Sequence, residues 1–214
     1  MSFTPADMKT WPRAAEFRFF SMNAAMEISA TVTVDVTHLR EICRERNVKF
    51  TPVFLWLVTD CVNRQKEFRM GMKDDVPGFF DEIHPLFPAF HEDDKSISNL
   101  WVAYQPFPAF LAEYTRIVET YGDVRRFFAR RDAFIPENTF VTSMIPWLNF
   151  THFSAHRLGN TPHYTPLVEW GKFTETNGKT TLPVSFTVHH AAADGYHIAK
   201  FFEDLQAGCD TFNG

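Results

Sequence analysis

The sequence predicts an α/β protein of the α+β kind, a two-layer sandwich in which a mixed β-sheet packs on helices. Three stretches carry that expectation. Residues 27–36, EISATVTVDV, set Ile28, Ala30, Val32, Val34 and Val36 on one side, the period of a half-buried strand. Residues 52–64, PVFLWLVTDCVNR, open on a proline suited to a first helical turn and stay apolar for seven residues, as a mostly buried helix does. After the turn signal Asn177-Gly178, the run KTTLPVSFTVHH alternates again, with Leu182, Val184, Phe186 and Val188 on one face.

The remaining elements fall between these. Thr37 is placed to cap a short helix over 38–46, whose stripe is Leu39, Ile42 and Cys43. FRMGM, FFDEIHPLFPAFHE and SISNLWVAY are aromatic and broken by Pro and Asp, which suits strands joined by turns. Residues 107–121 space Phe110, Leu111, Tyr114, Ile117, Val118 and Tyr121 as a helix does, and RRFFARRD after them reads as a solvated basic connection. TFVTSMIPWLNFTHFS and TPLVEWGKFTET read as strands. From Tyr196 to Gln206, Ile198, Phe201, Phe202 and Leu205 return to helical spacing. No repeat or linker divides the chain, so residues 1–214 are expected to form one domain.

Composition narrows the function. The chain is 45% hydrophobic and holds 24 Phe, a globular composition with material for aromatic pockets. A formal charge of −5 and no long Lys/Arg run speak against nucleic acid as a partner. The start MSFTPADMKTWPRAAEF lacks a secretory pattern, and no apolar run approaches the ~20 residues of a membrane helix, so a cytoplasmic location away from the membrane is expected. Cys43, Cys61 and Cys209 are odd in number and widely spaced, which disfavours a disulfide framework or a zinc site.

TVHHAAADGYHIAKFF, residues 187–202, is the stretch with chemistry in it. Extending the strand alternation puts His190 on the apolar side and His189 on the other, with Asp194 and Gly195 turning the chain into a helix. An imidazole there can act as general base, one nitrogen accepting while the other donates, with Asp194 fixing the ring or bracing the loop. A histidine held only by packing fits the same spacing. His152, His156 and His163 lack the ligands to complete a metal site, no phosphate loop or dinucleotide fingerprint is present, and Ser143 is not in a GxSxG setting.

The whole chain resembles the chloramphenicol acetyltransferases of the trimeric, acetyl-CoA-dependent type over about residues 11–206. The segments that carry the resemblance are WPR at 11–13, KFTPVF at 49–54, EFRMGMKD at 67–74, EIHPLFPAFHED, PENTFVTSMIPWLNF, GKF at 171–173 and HHAAADGYHIAKFFEDLQ. The His-x-x-x-Asp-Gly pattern alone is shared with other CoA-dependent acyltransferases. The resemblance implies the CoA-dependent acyltransferase fold, a homotrimer with sites between subunits, acetyl-CoA as co-substrate with no permanently bound cofactor, no metal, and chloramphenicol or a similar small hydroxylated acceptor. It implies His190 as general base, Ser143 as donor to the oxyanion, and an ion pair of Asp194 with Arg13 that shapes the loop. Lys49 and Lys172 match lysines near the CoA channel.

Phe19, Phe20, Ile97, Asn99 and Phe153 fall at acceptor-pocket positions by the same resemblance, as do Ala155, Arg157, Leu167 and Glu169. Several depart from the family. Phe20 replaces a tyrosine, Asn99 and Ala155 replace pocket-lining side chains, Arg157 an aliphatic residue, Glu169 a threonine, and Thr51 a tyrosine on the cofactor path. Because a lone buried charge is costly, Arg157 and Glu169 are expected to pair with each other. Three functions follow: a chloramphenicol acetyltransferase with an altered pocket, a related O-acyltransferase with a more polar acceptor, or an idle trimer that binds a CoA ester or small molecule.

Overall fold

The computed structural model describes residues 2–129, 135–157 and 163–214. Its larger sheet takes β2 (Glu27–Asp35), β5 (His84–Phe90), β6 (Ile97–Trp101), β7 (Thr139–Met144), β8 (Leu167–Trp170) and β10 (Lys179–His189) in the order β2-β10-β8-β7-β5-β6. A short β9 (Thr174–Thr176) pairs with the start of β10. The strands β5, β7 and β8 run parallel, and the other pairs are antiparallel, so the sheet is mixed as expected. A second antiparallel sheet joins β1 (Phe3–Pro5), β4 (Val76–Phe80) and β3 (Met70–Lys73) in the order β1-β4-β3.

Helices cover one face of the larger sheet. They are α2 (Thr37–Glu45), α3 (Phe50–Arg64), α4 (Phe107–Tyr121) and α5 (Gly195–Thr211), while a short α1 (Ala14–Arg18) lies apart from them, with its Phe17 against Tyr164. A π turn, Phe19–Asn23, follows α1, and a 3-10 turn, Lys66–Arg69, follows α3. The side chains of Leu182, Val184, Phe186 and Val188 are all buried, and Phe186 sits 4.4 Å from Phe201 of α5 and 4.8 Å from Phe68, centroid to centroid. Each such ring contributes about 1.5–3 kcal/mol relative to leaving it in water.

Alternation gives the opposite face of β10 to Ser185 and Thr187, which are also buried. Ser29 lies 2.8 Å from Thr187, hydroxyl to hydroxyl, and Thr31 donates to Ser185 at 3.3 Å. Residues 150–157 lie over this polar face: Ser185 donates to the Phe153 carbonyl, Thr31 lies 3.3 Å from His152 Nδ1, and His156 Nδ1 lies 3.0 Å from Glu27.

Several expectations are corrected. Thr37 is the first residue of α2 and Val36 holds the N-cap position, while Asp35 just before it accepts from the Thr37 N–H at 3.0 Å and hydroxyl at 2.6 Å. Val32 is 39% exposed, because β2 borders the sheet. The strand begun at Thr139 ends at Met144, where its pairing with Trp170 ends, so His152 and His156 lie on loop. The basic connection is not simply solvated: the Asn99 N–H donates to the Phe127 carbonyl at 2.7 Å, and Ala129 is buried. Residues 130–132 of that connection lie outside the described residues.

Candidate active site

Strand pairing ends at His189, so His190 is the first residue of a turn and not an inward-facing strand position. His189 is the more buried of the two, and burial lowers its pKa, with the Glu27 carboxylate acting against that shift. His190 is held from three sides. Its N–H donates to the Met26 carbonyl at 2.9 Å, its ring stacks on Phe20 with centroids 4.0 Å apart, and Nδ1 lies 3.0 Å from the Ala193 carbonyl. A carbonyl only accepts, so Nδ1 carries the proton and Nε2 keeps its lone pair.

Asp194 does not touch that ring. It occupies the N-cap of α5 and forms an ion pair with Arg13, while His197 Nδ1 lies 2.8 Å from its Oδ1. Arg13 Nη2 also donates to the His190 carbonyl at 3.3 Å. Burial acts to raise the Asp194 carboxyl, but the hydrogen bond and charge of Arg13, joined by His197, outweigh it and hold the group below the usual carboxylate range. Asp194 thus braces the loop. His197 was not singled out in the sequence, although its place three residues past the cap follows capping-box spacing.

Ser143 belongs to a different place. It stands on β7 and lines a cavity of about 580 Å³ with Ile97, Phe153, Trp170, Gly171 and Lys172. Thr51, Phe50 and Phe173 also line it. The last two border a neighbouring groove of about 650 Å³ that carries Lys49, Arg40 and Arg44. The rings of Phe50 and Phe173 meet edge to face with centroids 4.9 Å apart and line both, so the cationic groove and the apolar cavity are adjacent. Lys172 is fixed through its N–H, which donates to the Leu148 carbonyl at 2.8 Å. Phe50, Trp170 and Phe173 are cavity residues that sequence reasoning missed, since aromatic residues at such spacing read as core.

Register separates the two clusters. Ser143 pairs with Glu169, and Glu169 with Ser185, while His190 lies five residues beyond Ser185. Within one chain, His190 is therefore two strands across and five residues along from Ser143.

Among the other pocket positions, Phe19 is exposed and meets Phe20 edge-on at 5.1 Å, which keeps both on the His190 side. Leu167 is buried on β8 between Thr187 and Val141. Asn99 is turned toward Phe127, whose carbonyl accepts from its Nδ2 at 3.0 Å, and it does not line the cavity. Ala155 donates its N–H to Glu169. The expected pairing of Arg157 with Glu169 is absent. Arg157 donates to the Thr165 carbonyl at 3.4 Å, its pKa lowered by burial against the opposing charge of Glu27. Glu169 is 3% exposed, and burial pushes it up to about 7, offset by the Ala155 N–H and by His156. The two charges are separated because the loop turns Arg157 toward Thr165 instead of into β8. Cys43, Cys61 and Cys209 are free thiols, and the described residues hold no group of three His, Cys, Asp or Glu side chains able to take a metal. Among the described residues no helix is long and apolar enough to cross a membrane.

A mixed sheet packed with helices is the α/β fold that this chain shares with solved acetyltransferases. A solved chloramphenicol acetyltransferase matches it with a TM-score of 0.87 at 22% identity, covering 96% of this chain and 99% of that one. The dihydrolipoamide acetyltransferase of Azotobacter vinelandii shares the fold at a TM-score of 0.66 and 15% identity, over 92% of this chain and 86% of its own. The chain is 34% identical over 212 residues to chloramphenicol acetyltransferase 2 of Haemophilus influenzae, covering 99% of each. It is 32% identical over 209 residues to the chloramphenicol acetyltransferase of Clostridium perfringens, covering 96% of this chain and 94% of the relative. The family profile described as chloramphenicol acetyltransferase matches residues 1–206, and the chain belongs to that family.

Proposed function

We propose that the protein is an acetyl-CoA-dependent O-acetyltransferase that moves the acetyl group to the primary hydroxyl of chloramphenicol. The observation that carries the reading is the hydrogen bond from His190 Nδ1 to the Ala193 carbonyl, which leaves Nε2 free to take a proton. An alcohol is a poor nucleophile at neutral pH. With its proton passing to Nε2, the acceptor oxygen attacks the thioester carbonyl directly, and no covalent enzyme intermediate is needed. The carbonyl oxygen gains charge and accepts a hydrogen bond from the Ser143 hydroxyl, a donor worth about 10²- to 10³-fold in rate. Collapse breaks the carbon–sulfur bond, and the departing thiolate, of a type with a reference pKa of about 8.5, recovers the proton from His190.

The separation of His190 from Ser143 along the sheet supports a site completed between two copies, in a homotrimer whose ring closes on itself. Lys49, Arg40 and Arg44 offer cationic partners for the phosphates of CoA, with Lys172 nearer the reacting end. Residues 1–214 act in this reading as one domain in the cytoplasm. The test is thiol release from acetyl-CoA with and without chloramphenicol, in wild type and His190→Ala. Chloramphenicol-dependent release lost in the variant is expected; a folded, CoA-binding wild type that releases no thiol overturns the assignment.

A further inference from the structure

Among the described residues Glu169 is the only carboxyl side chain that is buried, and the reaction above gives it no part. Its place in the sheet is informative. Glu169 on β8 is the register partner of Ser143 on β7, so the two side chains leave the same face of neighbouring strands about 4.8 Å apart. Ser185, its partner on β10, is committed to the Phe153 carbonyl. The loop above supplies one N–H, from Ala155, and the Glu169 Oε2 atom has no hydrogen-bond partner among the described residues. No described Lys or Arg forms an ion pair with it, and the nearest opposing charge is available only when His156, itself 3.0 Å from Glu27, is protonated.

A buried acceptor atom left without a donor is destabilising, and natural folds keep few of them. The missing donor is accounted for if it arrives with substrate. Resting on the acetyl-transfer reading, we propose that Glu169 determines acceptor specificity, its carboxyl accepting a hydrogen bond from a hydroxyl or N–H that the acceptor carries beside the hydroxyl being acetylated. The site thereby favours acceptors with a second hydrogen-bond donor over simple alcohols of the same shape. A site built around such a bond rejects an analogue that lacks it, because the protein atom is then left buried and unpaired. The burial that pushes the carboxyl up to about 7 leaves an accepting oxygen in both its protonated and ionised forms.

Chloramphenicol carries two candidate donors, a secondary hydroxyl and an amide N–H. The experiment compares kcat/KM for chloramphenicol, its 1-deoxy analogue and its N-methyl amide analogue, with wild type, Glu169→Gln and Glu169→Met, alongside thermal melts. For wild type, one analogue is expected to fall at least about tenfold below chloramphenicol, and which one identifies the donor. That ratio shrinks to about twofold or less in Glu169→Met, and persists in Glu169→Gln, whose amide oxygen accepts the same bond. Glu169→Met is expected to melt at or above the wild-type temperature, as an unpartnered acid gives way to an apolar side chain of similar size. Wild-type ratios near one for both analogues, ratios unchanged by Glu169→Met, or a Glu169→Met melting temperature well below wild type would each overturn the role of Glu169 alone. A wild type that turns over none of the three compounds overturns the acetyl-transfer reading beneath it.

Discussion

Mixing two inactive variants tests the shared site directly. Five residues along a strand at about 3.3 Å each, and two strands at about 4.8 Å, place the backbones of His190 and Ser143 about 19 Å apart within one chain. Their side chains together reach about 7 Å, which leaves roughly 12 Å between the functional atoms. A carbonyl carbon and its oxygen, hydrogen-bonded to both groups through the reacting atoms, need them within about 6 Å. On this spacing the proposed reaction needs His190 and Ser143 from two different copies. Co-expression of His190→Ala with Ser143→Ala chains in equal amounts should restore activity, since some junctions then receive an intact His190 from one chain and an intact Ser143 from its neighbour. In a closed ring with random assembly, each junction has one chance in two for either residue, so about one quarter of wild-type activity per site is expected. The assay is chloramphenicol-dependent thiol release by the purified mixed assembly, with the two parents measured separately. A mixture no more active than the mean of its parents, in assemblies shown by differential tags to contain both chains, would refute a site shared between copies.

Asp194→Asn should cost about 1–3 kcal/mol of stability, less than a fully buried pair would, because 36% of the Asp194 side chain is open to solvent. The folded carboxyl is held low, so its contribution is present above the unfolded value near pH 4 and is lost as pH falls through the folded one. The melting-temperature gap between wild type and variant should accordingly close on acidification. A variant as stable as wild type, with His190 unmoved and yet inactive, would turn Asp194 from a brace into a participant. Gly171→Ala should destabilise by about 1–3 kcal/mol and raise the KM for acetyl-CoA, since a Cβ there would stand 2.5 Å from the Leu148 carbonyl oxygen and 2.9 Å from Pro183, displacing Lys172 next to it. Thermal melting and initial-rate kinetics on the one variant check both effects.

Periodicity made the packed elements readable. Residues 107–121 form α4 as spaced, and the run after Asn177-Gly178 forms β10, because in both the apolar period meets a partner surface. It failed where composition imitates a strand without a partner. The aromatic segment after Met144 has strand-like content, but pairing with β8 has ended and the chain leaves the sheet to cover its polar face. His190 illustrates the same limit one residue past the strand, where alternation no longer sets direction. The bond between Arg13 and Asp194 spans 181 residues, so no local spacing reveals it, and it was anticipated only through family resemblance.

The clusters on either side of the register gap are built differently, and that difference assigns them different work. Around His190 the polar contacts are made before any substrate arrives: Met26 and Ala193 hold the histidine, while Arg13 and His197 hold the aspartate below it. A base must present one lone pair in one direction, and prior satisfaction of every other contact achieves that. On β8 the opposite holds. The sequence placed Arg157 and Glu169 as mutual partners, yet the fold turns the arginine to Thr165 and leaves a carboxyl oxygen unmet within one strand of Ser143. Two charges that neutralised each other would have made the acceptor wall inert. On the proposed reading, keeping them apart leaves Glu169 to distinguish acceptors while Arg13, Asp194 and His190 need not change, so selectivity varies on one copy without disturbing the base proposed to come from its neighbour.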